Sequence, residues 1–401
     1  MKKVLVLGCN DVTKILLPEL CREENDITDI CLAAKDKAEC NEYRKKLAGG
    51  RVRITTAGVD VTNKDATMMM VRIFGPELIV NLLPDELSID VMRIALEIGA
   101  SYIDSALLPD TSGTLLSKQF ELFGEFRDKK LTAVVGCSYN PAVITSVVRR
   151  ALKTSFDSID SVDVLEVGTA SEFSEYKDPL GLGSGEEKLE DAVAIEGGKP
   201  VKKKALSVKT VRELPDTGKK TFYMMSNKVV DDFLKEIPEI GNVRYFSPYT
   251  EGDSARDDEM IEVLKKAGMF SEEEIEIKGV KISPKEFIMK MMPAERKQVK
   301  PHGLTATGIV ISGKRGGNDR TALHFAAADN DECFKKHGIY VDSYLEATAM
   351  LAGVKLMMNL RWQKAGVFTP CAFEPEMLLD TIKEGGFEYS ETRDAEPVTL
   401  E

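Results

Sequence analysis

Residues 1–20 read MKKVLVLGCNDVTKILLPEL. Lys3 to Leu7 has the apolar content of a buried strand, Gly8 breaks it, and Ile15, Leu16 and Leu20 then recur at helical spacing. Strand, glycine turn and helix in this order are the opening of a nucleotide-binding α/β sheet. In the fingerprint of that turn three glycines serve the tight bend, the close approach of a pyrophosphate and the packing of helix on strand. Here those places hold Gly8, Asn10 and Thr13. Gly8 meets the first demand. Asn10 is expected to stand in for the second by taking a left-handed backbone, which Asn tolerates better than most side chains. Thr13 is expected to cap the helix. Asp11 sets a carboxylate beside the phosphate position, and Pro18 either kinks the helix or is its first residue. The contacts expected from this turn are Gly8, Asn10, Asp11 and Val12.

Further along, strands at residues 27–33, 52–59, 78–83, 102–103 and 131–137 alternate with helices at 38–47, after Thr62 or Asn63, at 88–98 and at 115–129. Apolar strands separated by helices imply a parallel sheet covered on both faces. Ligands of such sheets sit beyond the carboxyl ends of the strands. That rule gathers Gly8, Ala33 to Lys35, Gly58, Leu83-Pro84 and Asp104-Ser105 around one crevice. The second strand ends in Ala33-Ala34-Lys35, with no carboxylate for the ribose hydroxyl of NAD. Lys35 and Lys37 suit the 2′-phosphate of NADP, with Asp36 between them. The cofactor expected is NADP (NADPH), contacted by Ala34, Lys35, Leu83 and Pro84 as well as by the first turn.

After Gly136 the texture changes. "YNPAVITSVVRRALKT" reads as a helix entered through Asn140-Pro141, residues 174–204 as a long loop, and "HGLTATGIVISGKRGGNDRTALHFAAAD" as a hairpin around Gly-Gly-Asn. "SYLEATAMLAGVKLMMNL" is a long apolar helix. The expected fold class is α/β: a Rossmann-type doubly wound parallel sheet plus a second α+β domain with a largely antiparallel or mixed sheet. The expected domains are 1–137, 138–366 for substrate and dimer contacts, and a segment 367–401 packing back on the first.

The 401 residues carry a formal net charge of −12, which opposes nucleic-acid binding. No apolar run is long enough to span a bilayer. The short apolar start lacks the features of a signal peptide, so a cytoplasmic protein is expected. Seven cysteines without a C-x-x-C, and three histidines without H-E-x-x-H, suggest neither a disulfide framework nor a metal site.

Five stretches resemble known sequences. "PELIVNLLPDELSIDVMRIALEIGASYIDSA" and "VVGCSYNPAVITSVVRRAL" are similar to the saccharopine dehydrogenase family. "NVRYFSPYTEGDSARDDEMIEVLKKAGM", "FAAADNDECFKKHGIYVDSYLEATAMLAGVKLM" and "AGVFTPCAFEPEMLL" resemble its carboxynorspermidine and carboxyspermidine dehydrogenase branch. The resemblance covers most of the chain in order, except residues 174–204. It implies a reductase that joins an amino-acid semialdehyde to an amine and reduces the imine with NADPH. Such chemistry needs orientation of the partners, proton transfer and an anchor for a carboxylate. By position, Asp104 and Cys137 are the catalytic candidates. Tyr139, Asn140, Arg244, Tyr249, Asp329 and Asn330 are candidates for substrate, with Arg244 as the carboxylate anchor. The chain departs from the branch where Asn330 and Ser226-Asn227 replace its histidines. Its loop "YKDPLGLGSGEEKLEDAV" also lacks an Asn-Pro segment. A saccharopine reductase or lysine dehydrogenase is an alternative within the family, and a non-catalytic binding protein one outside enzymology. A homodimer is expected, built by extending the second domain's sheet across a two-fold axis.

Overall fold

The computed structural model describes residues 2–22, 26–108, 118–168, 191–248, 263–264, 266–271, 273–285, 287, 302–384 and 386–401. It divides into two compact units. The first is Met1–Asp157 with Asp231–Pro238 and Ser343–Tyr389; the second is Ser158–Val230 with Glu239–Asp342 and Ser390–Glu401.

The first unit alternates β1 (Lys3–Leu7), α1 (Asp11–Leu20), β2 (Asp29–Ala34), α2 (Lys37–Lys46), β3 (Arg53–Gly58), α3 (Lys64–Phe74), β4 (Leu78–Asn81), α4 (Ser88–Ile98), β5 (Ser101–Asp104), α5 (Phe123–Asp128) and β6 (Thr132–Val134), and runs on into α6 (Ile144–Thr154). Its strands pair in parallel in the order β6-β5-β4-β1-β2-β3. A seventh strand, Gly366–Phe368, joins the outer edge of β6 in parallel. β1 and β4 are neighbours although far apart in the chain, so the order of connection reverses between them. Val4 to Leu7 and Leu78 to Val80 are fully buried, as strands covered on both faces must be.

Two expectations about α1 are corrected. The helix runs from Asp11 to Leu20 with Pro18 inside it. Asn10 is its N-cap, with φ −147° and ψ −170°, which is extended rather than left-handed backbone. Thr13 is the third helical residue and completes a reciprocal capping box with Asn10. Asn10 has an oxygen at the right reach to satisfy an orphan helix N–H, and that demand outweighs a turn conformation.

The boundary expected at 137 falls inside the first unit, which continues through α6 to Asp157. The amphipathic α6 buries Ile144, Val147, Val148 and Ala151 there, and it packs against the helix Pro375–Glu384 of the same unit. The segment expected at 367–401 is divided. Its part up to Tyr389 belongs to the first unit, and its last strand, Ser390–Arg393, to the second.

The second unit holds β7 (Ser158–Val167), β8 (Ala192–Glu196), β9 (Lys199–Lys203), β10 (Lys209–Leu214), β11 (Gly218–Met224), α7 (Lys228–Glu236, continuing into the first unit), β12 (Asn242–Pro248), β13 (Ile275–Ile277), β14 (Val280–Ile282), β15 (Leu304–Arg315), β16 (Asn318–Asp329) and α8 (Asn330–His337). The sheet runs β10-β11-β12-β7-β15-β16 and then the Ser390–Arg393 strand, with β8 on β12 and β9 on β8. It is mixed: β12 and β7 run parallel and the other pairs antiparallel. The 15–16 hairpin turns at Gly316 and Gly317, with φ +58° and +79°, a conformation that favours glycine at both places. The loop read at 174–204 is corrected over its described part, because Gly197 and Gly198 turn the β8–β9 hairpin. Residues 169–190 lie outside the described residues, and with them Gly181, Gly183 and Gly185. A long helix, α9 (Val341–Met358), follows α8 and lies mostly in the first unit.

Candidate active site

The carboxyl ends of β1, β2, β4 and β5 surround a cleft of about 570 Å³. Gly8, Cys9 and Asn10 line it from the first turn, Ala34, Lys35 and Asp36 from the end of β2, and Glu39 from α2. Leu82 to Asp85 follow β4, Ser105 follows β5, and Glu346 reaches it from α9. The cleft sits at the switch point between β1 and β4, where a sheet of this kind takes its ligand.

Gly8 is there for a steric reason. Its φ is +113°, and a Cβ on it would lie 2.8 Å from the carbonyl oxygen of Leu82. Any side chain would push the β1–α1 turn away from the end of β4. Asn10 fixes the same approach from the other side: its Nδ2 donates to that Leu82 oxygen at 3.1 Å while its Oδ1 accepts from the Thr13 N–H at 3.2 Å. Thr13 Oγ1 donates to the Gly8 carbonyl at 3.1 Å. The start of α1 is thereby clamped at the cleft, where helix N–H donors and the helix dipole favour an anion. Asp11 stands on that first turn and pairs with Lys14 at 2.5 Å instead of lining the cleft, and the Val12 side chain is buried. This cradle fits the pyrophosphate of a dinucleotide.

At the end of β2, Ala34 and Lys35 border the cleft as expected from their positions. Lys35 Nζ is 3.0 Å from Asp60, a residue after β3. Hydrogen bonds from Thr62 and then from Lys35 hold the Asp60 carboxyl down at about 2. Asp36 caps α2 through the Ala38 N–H at 2.7 Å. Gly58 does not line the cleft; its neighbour is the Lys37 side chain. Leu83 and Pro84 do line it, and Pro84 leads into a short turn of 3-10 helix at Asp85–Leu87.

Asp104 is not at the surface of the cleft. It is 1% exposed, at the centre of a polar network. Ser88, Tyr102 (2.6 Å) and Gln119 (3.2 Å) donate to its Oδ2. Asn81 joins by donating to the Tyr102 hydroxyl at 2.9 Å. Burial pushes the Asp104 carboxyl up to about 7 against the hydrogen bonds of Ser88 and Tyr102. Cys137 is fully buried, its thiol 3.5 Å from the Ala349 carbonyl and held well above the ordinary thiol range by burial. Both catalytic candidates are thus buried, and neither lines the cleft.

The substrate candidates separate. Tyr139 is buried in the first unit, where its hydroxyl bonds to that of Tyr389 and its ring stacks on the same residue. Asn140 follows it, and the Asn140–Pro141 peptide is cis. In the second unit Arg244, expected to anchor a carboxylate, forks onto Asp163, with Nη2 to Oδ2 at 2.8 Å. Asp329 caps α8 through the Glu332 N–H at 2.9 Å. Asn330 is 1% exposed and donates to Gly303 and Thr305 while accepting from the Val341 N–H. Ser226 and Asn227 likewise bond to backbone, at Val193 and Val229. Tyr249 lies outside the described residues.

Sequence reasoning missed Cys9, Glu39, Asp85 and Glu346 as cleft residues. Glu346 had a signal: it is a carboxylate on a helix otherwise dominated by apolar residues.

The parallel sheet, its reversed strand order and the clamped glycine turn define a Rossmann-like α/β fold with a cleft at its switch point. Residues 4–134 match the family model described as the saccharopine dehydrogenase NADP binding domain. Over that third of the chain the sequence is thus similar to a nicotinamide-nucleotide-binding domain of the saccharopine dehydrogenase kind. It is 25% identical to carboxyaminopropylagmatine dehydrogenase of a Synechocystis species, over 98% of both chains. It is 19% identical to carboxynorspermidine synthase of Vibrio alginolyticus, over 96% of both. Among solved structures, saccharopine dehydrogenase (L-Glu forming) from Saccharomyces cerevisiae superimposes with a TM-score of 0.67 at 14% identity, covering 98% of this chain and 100% of that one. The second unit's mixed sheet is therefore part of a known two-part fold.

Proposed function

We propose that this protein is an NADP-dependent reductase that forms a secondary amine from an amino-acid semialdehyde and an amine. The observation that carries the proposal is end-to-end similarity to carboxyaminopropylagmatine dehydrogenase in a chain whose switch-point cleft keeps the Gly8 turn. The similarity to carboxynorspermidine synthase supports the same reaction class. When bound, the cofactor supplies a hydride for the imine carbon. The chain's own part is to hold and orient. In this reading the Gly8 turn and the first N–H groups of α1 take the pyrophosphate, Ala34 and Lys35 take the 2′-phosphate end, and Leu83 and Pro84 border the nicotinamide. Asp85 and Glu346 give the cleft a negative wall suited to the ammonium or guanidinium end of an amine.

Titration of the pure protein with NADPH and NADH, followed by nicotinamide fluorescence, tests the cofactor. NADPH is expected to bind at least several-fold more tightly, and Lys35→Ala to narrow that gap. Equal binding, or no effect of Lys35→Ala, overturns the role given to Lys35. Oxidation of NADPH at 340 nm with aspartate semialdehyde plus agmatine, putrescine or diaminopropane tests the reaction. Consumption with only another aldehyde redirects the substrate, and tight NADPH binding without turnover with any pair supports a binding protein instead. A homodimeric, cytoplasmic protein is part of this proposal; light scattering of the eluting protein tests the first half. Among the described residues no helix is long and apolar enough to cross a membrane.

A further inference from the structure

Cys9 and Cys40 bring their Sγ atoms to 3.2 Å from each other. They come from elements that meet at the cofactor end of the sheet. Cys9 follows Gly8 in the β1–α1 turn, lines the cleft and is half-buried. Cys40 lies in the first half of α2 and is fully buried. The contact is held on a second side, because the Tyr43 hydroxyl, on the same helix, donates to the Asn10 carbonyl at 3.2 Å. Turn and helix are thus fixed against each other around the two sulfurs. A disulfide needs them about 2.05 Å apart, so closure asks for a shift of roughly 1.2 Å.

We propose that Cys9 and Cys40 are an oxidative modification site, closed to a disulfide by a hydroperoxide and stapling the β1–α1 turn to α2. The thiolate of Cys9, the more accessible of the two, attacks the terminal oxygen of the hydroperoxide. The O–O bond breaks, the alkoxide takes a proton and leaves as the alcohol, and Cys9 becomes a sulfenic acid. The Cys40 sulfur then attacks the Cys9 sulfur. The S–O bond breaks, and the hydroxide leaves as water with the proton from Cys40. Two thiols lose two electrons, and the hydroperoxide is reduced to alcohol and water.

Burial and the Cys40 thiol, followed by the Glu39 and Asp36 carboxylates, hold the Cys9 thiol well above its usual range, and burial also raises that of Cys40. A thiolate is thus disfavoured in the reduced pair. That makes the first step slow, and it makes the closed disulfide resistant to reduction, because reductive opening would release a poorly stabilised thiolate.

The test uses the reduced full-length chain treated with hydrogen peroxide, blocked with N-ethylmaleimide and digested without reductant for mass spectrometry. The expected result is loss of two hydrogens from the intact mass, a cross-linked peptide pair containing Cys9 and Cys40, and its disappearance with dithiothreitol. Cys9→Ser and Cys40→Ser should each abolish that pair. Cys371→Ser, a change at a buried thiol elsewhere in the first unit, should keep it. Oxidation of Cys9 to sulfinic acid without a cross-link overturns the proposal. So does a cross-link mapped to other cysteines, or one that forms only after unfolding in urea. The readout needs no cofactor and no turnover, so failure of the proposed reaction would leave the result unchanged.

Discussion

Asn10 shows how one residue's local demand decides the geometry of a binding turn. Its side chain serves α1 and the end of β4 together, through Thr13 and the Leu82 carbonyl. Asn10→Gly is therefore expected to cost about 1 kcal/mol, read by urea unfolding, since it removes both bonds. Had Asn10 been left-handed, glycine would have relieved strain and stabilised the fold; a gain would overturn the capping account. Asp104 illustrates a different effect of place. Its carboxyl is pushed up to about 7 by burial, from an ordinary value of 3.8. The folded value lies above the unfolded one, so the fold favours the protonated acid. The resulting stability is fully present below about pH 4 and is lost as the pH rises through about 7. Asp104→Asn should flatten that dependence and gain stability at pH 8 relative to pH 5, on the order of a few kcal/mol. Denaturation curves of both proteins at the two pH values check it. The difference between them removes the parallel contribution of Asp231 and Asp232, whose carboxyls burial also raises to about 7.

At the scale of elements, the pairing of strands sets what a side chain can do. β12 and β7 run parallel with Arg244 directly opposite Asp163. Asp163 is 1% exposed, so the guanidinium is what keeps a buried carboxylate satisfied. Arg244→Met should destabilise the protein by about 3–5 kcal/mol, because it leaves that acid buried without its partner. A variant of unchanged stability but raised KM for the semialdehyde would return Arg244 to the role of substrate anchor. The elements themselves were largely legible. The helix expected at 88–98 is α4, Asn63 is the N-cap of α3, and the hairpin around Gly316 and Gly317 is in place. Each is written in nearby residues: apolar spacing, a capping oxygen, a pair of glycines. The β8–β9 hairpin was not recognised, because its lysine-rich second strand has no apolar alternation to announce it.

For the whole molecule, the first unit is discontinuous in sequence. Gly366–Phe368 supplies its seventh strand, and α9 lies so close to Cys137 that a Cβ on Gly353 would meet the sulfur at 2.5 Å. Trp362, 1% exposed, stacks on Phe373 with ring centroids 5.0 Å apart. A fragment ending at residue 157 would lack all of these. It is expected to unfold without a cooperative transition, and a thermal melt by circular dichroism checks this; a sharp melt would show that the N-terminal part is self-sufficient. By itself the sequence determined the alternation of strands and helices, the parallel sheet and the glycine turn at its switch point, because these follow from periodicity and turn chemistry within a few residues. Only the tertiary structure decided that Asp104 is sealed, that Arg244 is occupied by Asp163, that Glu346 reaches the cleft from α9 and that Cys9 faces Cys40. Those facts depend on which distant side chains meet and how much water is excluded between them, and a local pattern of residues does not encode either.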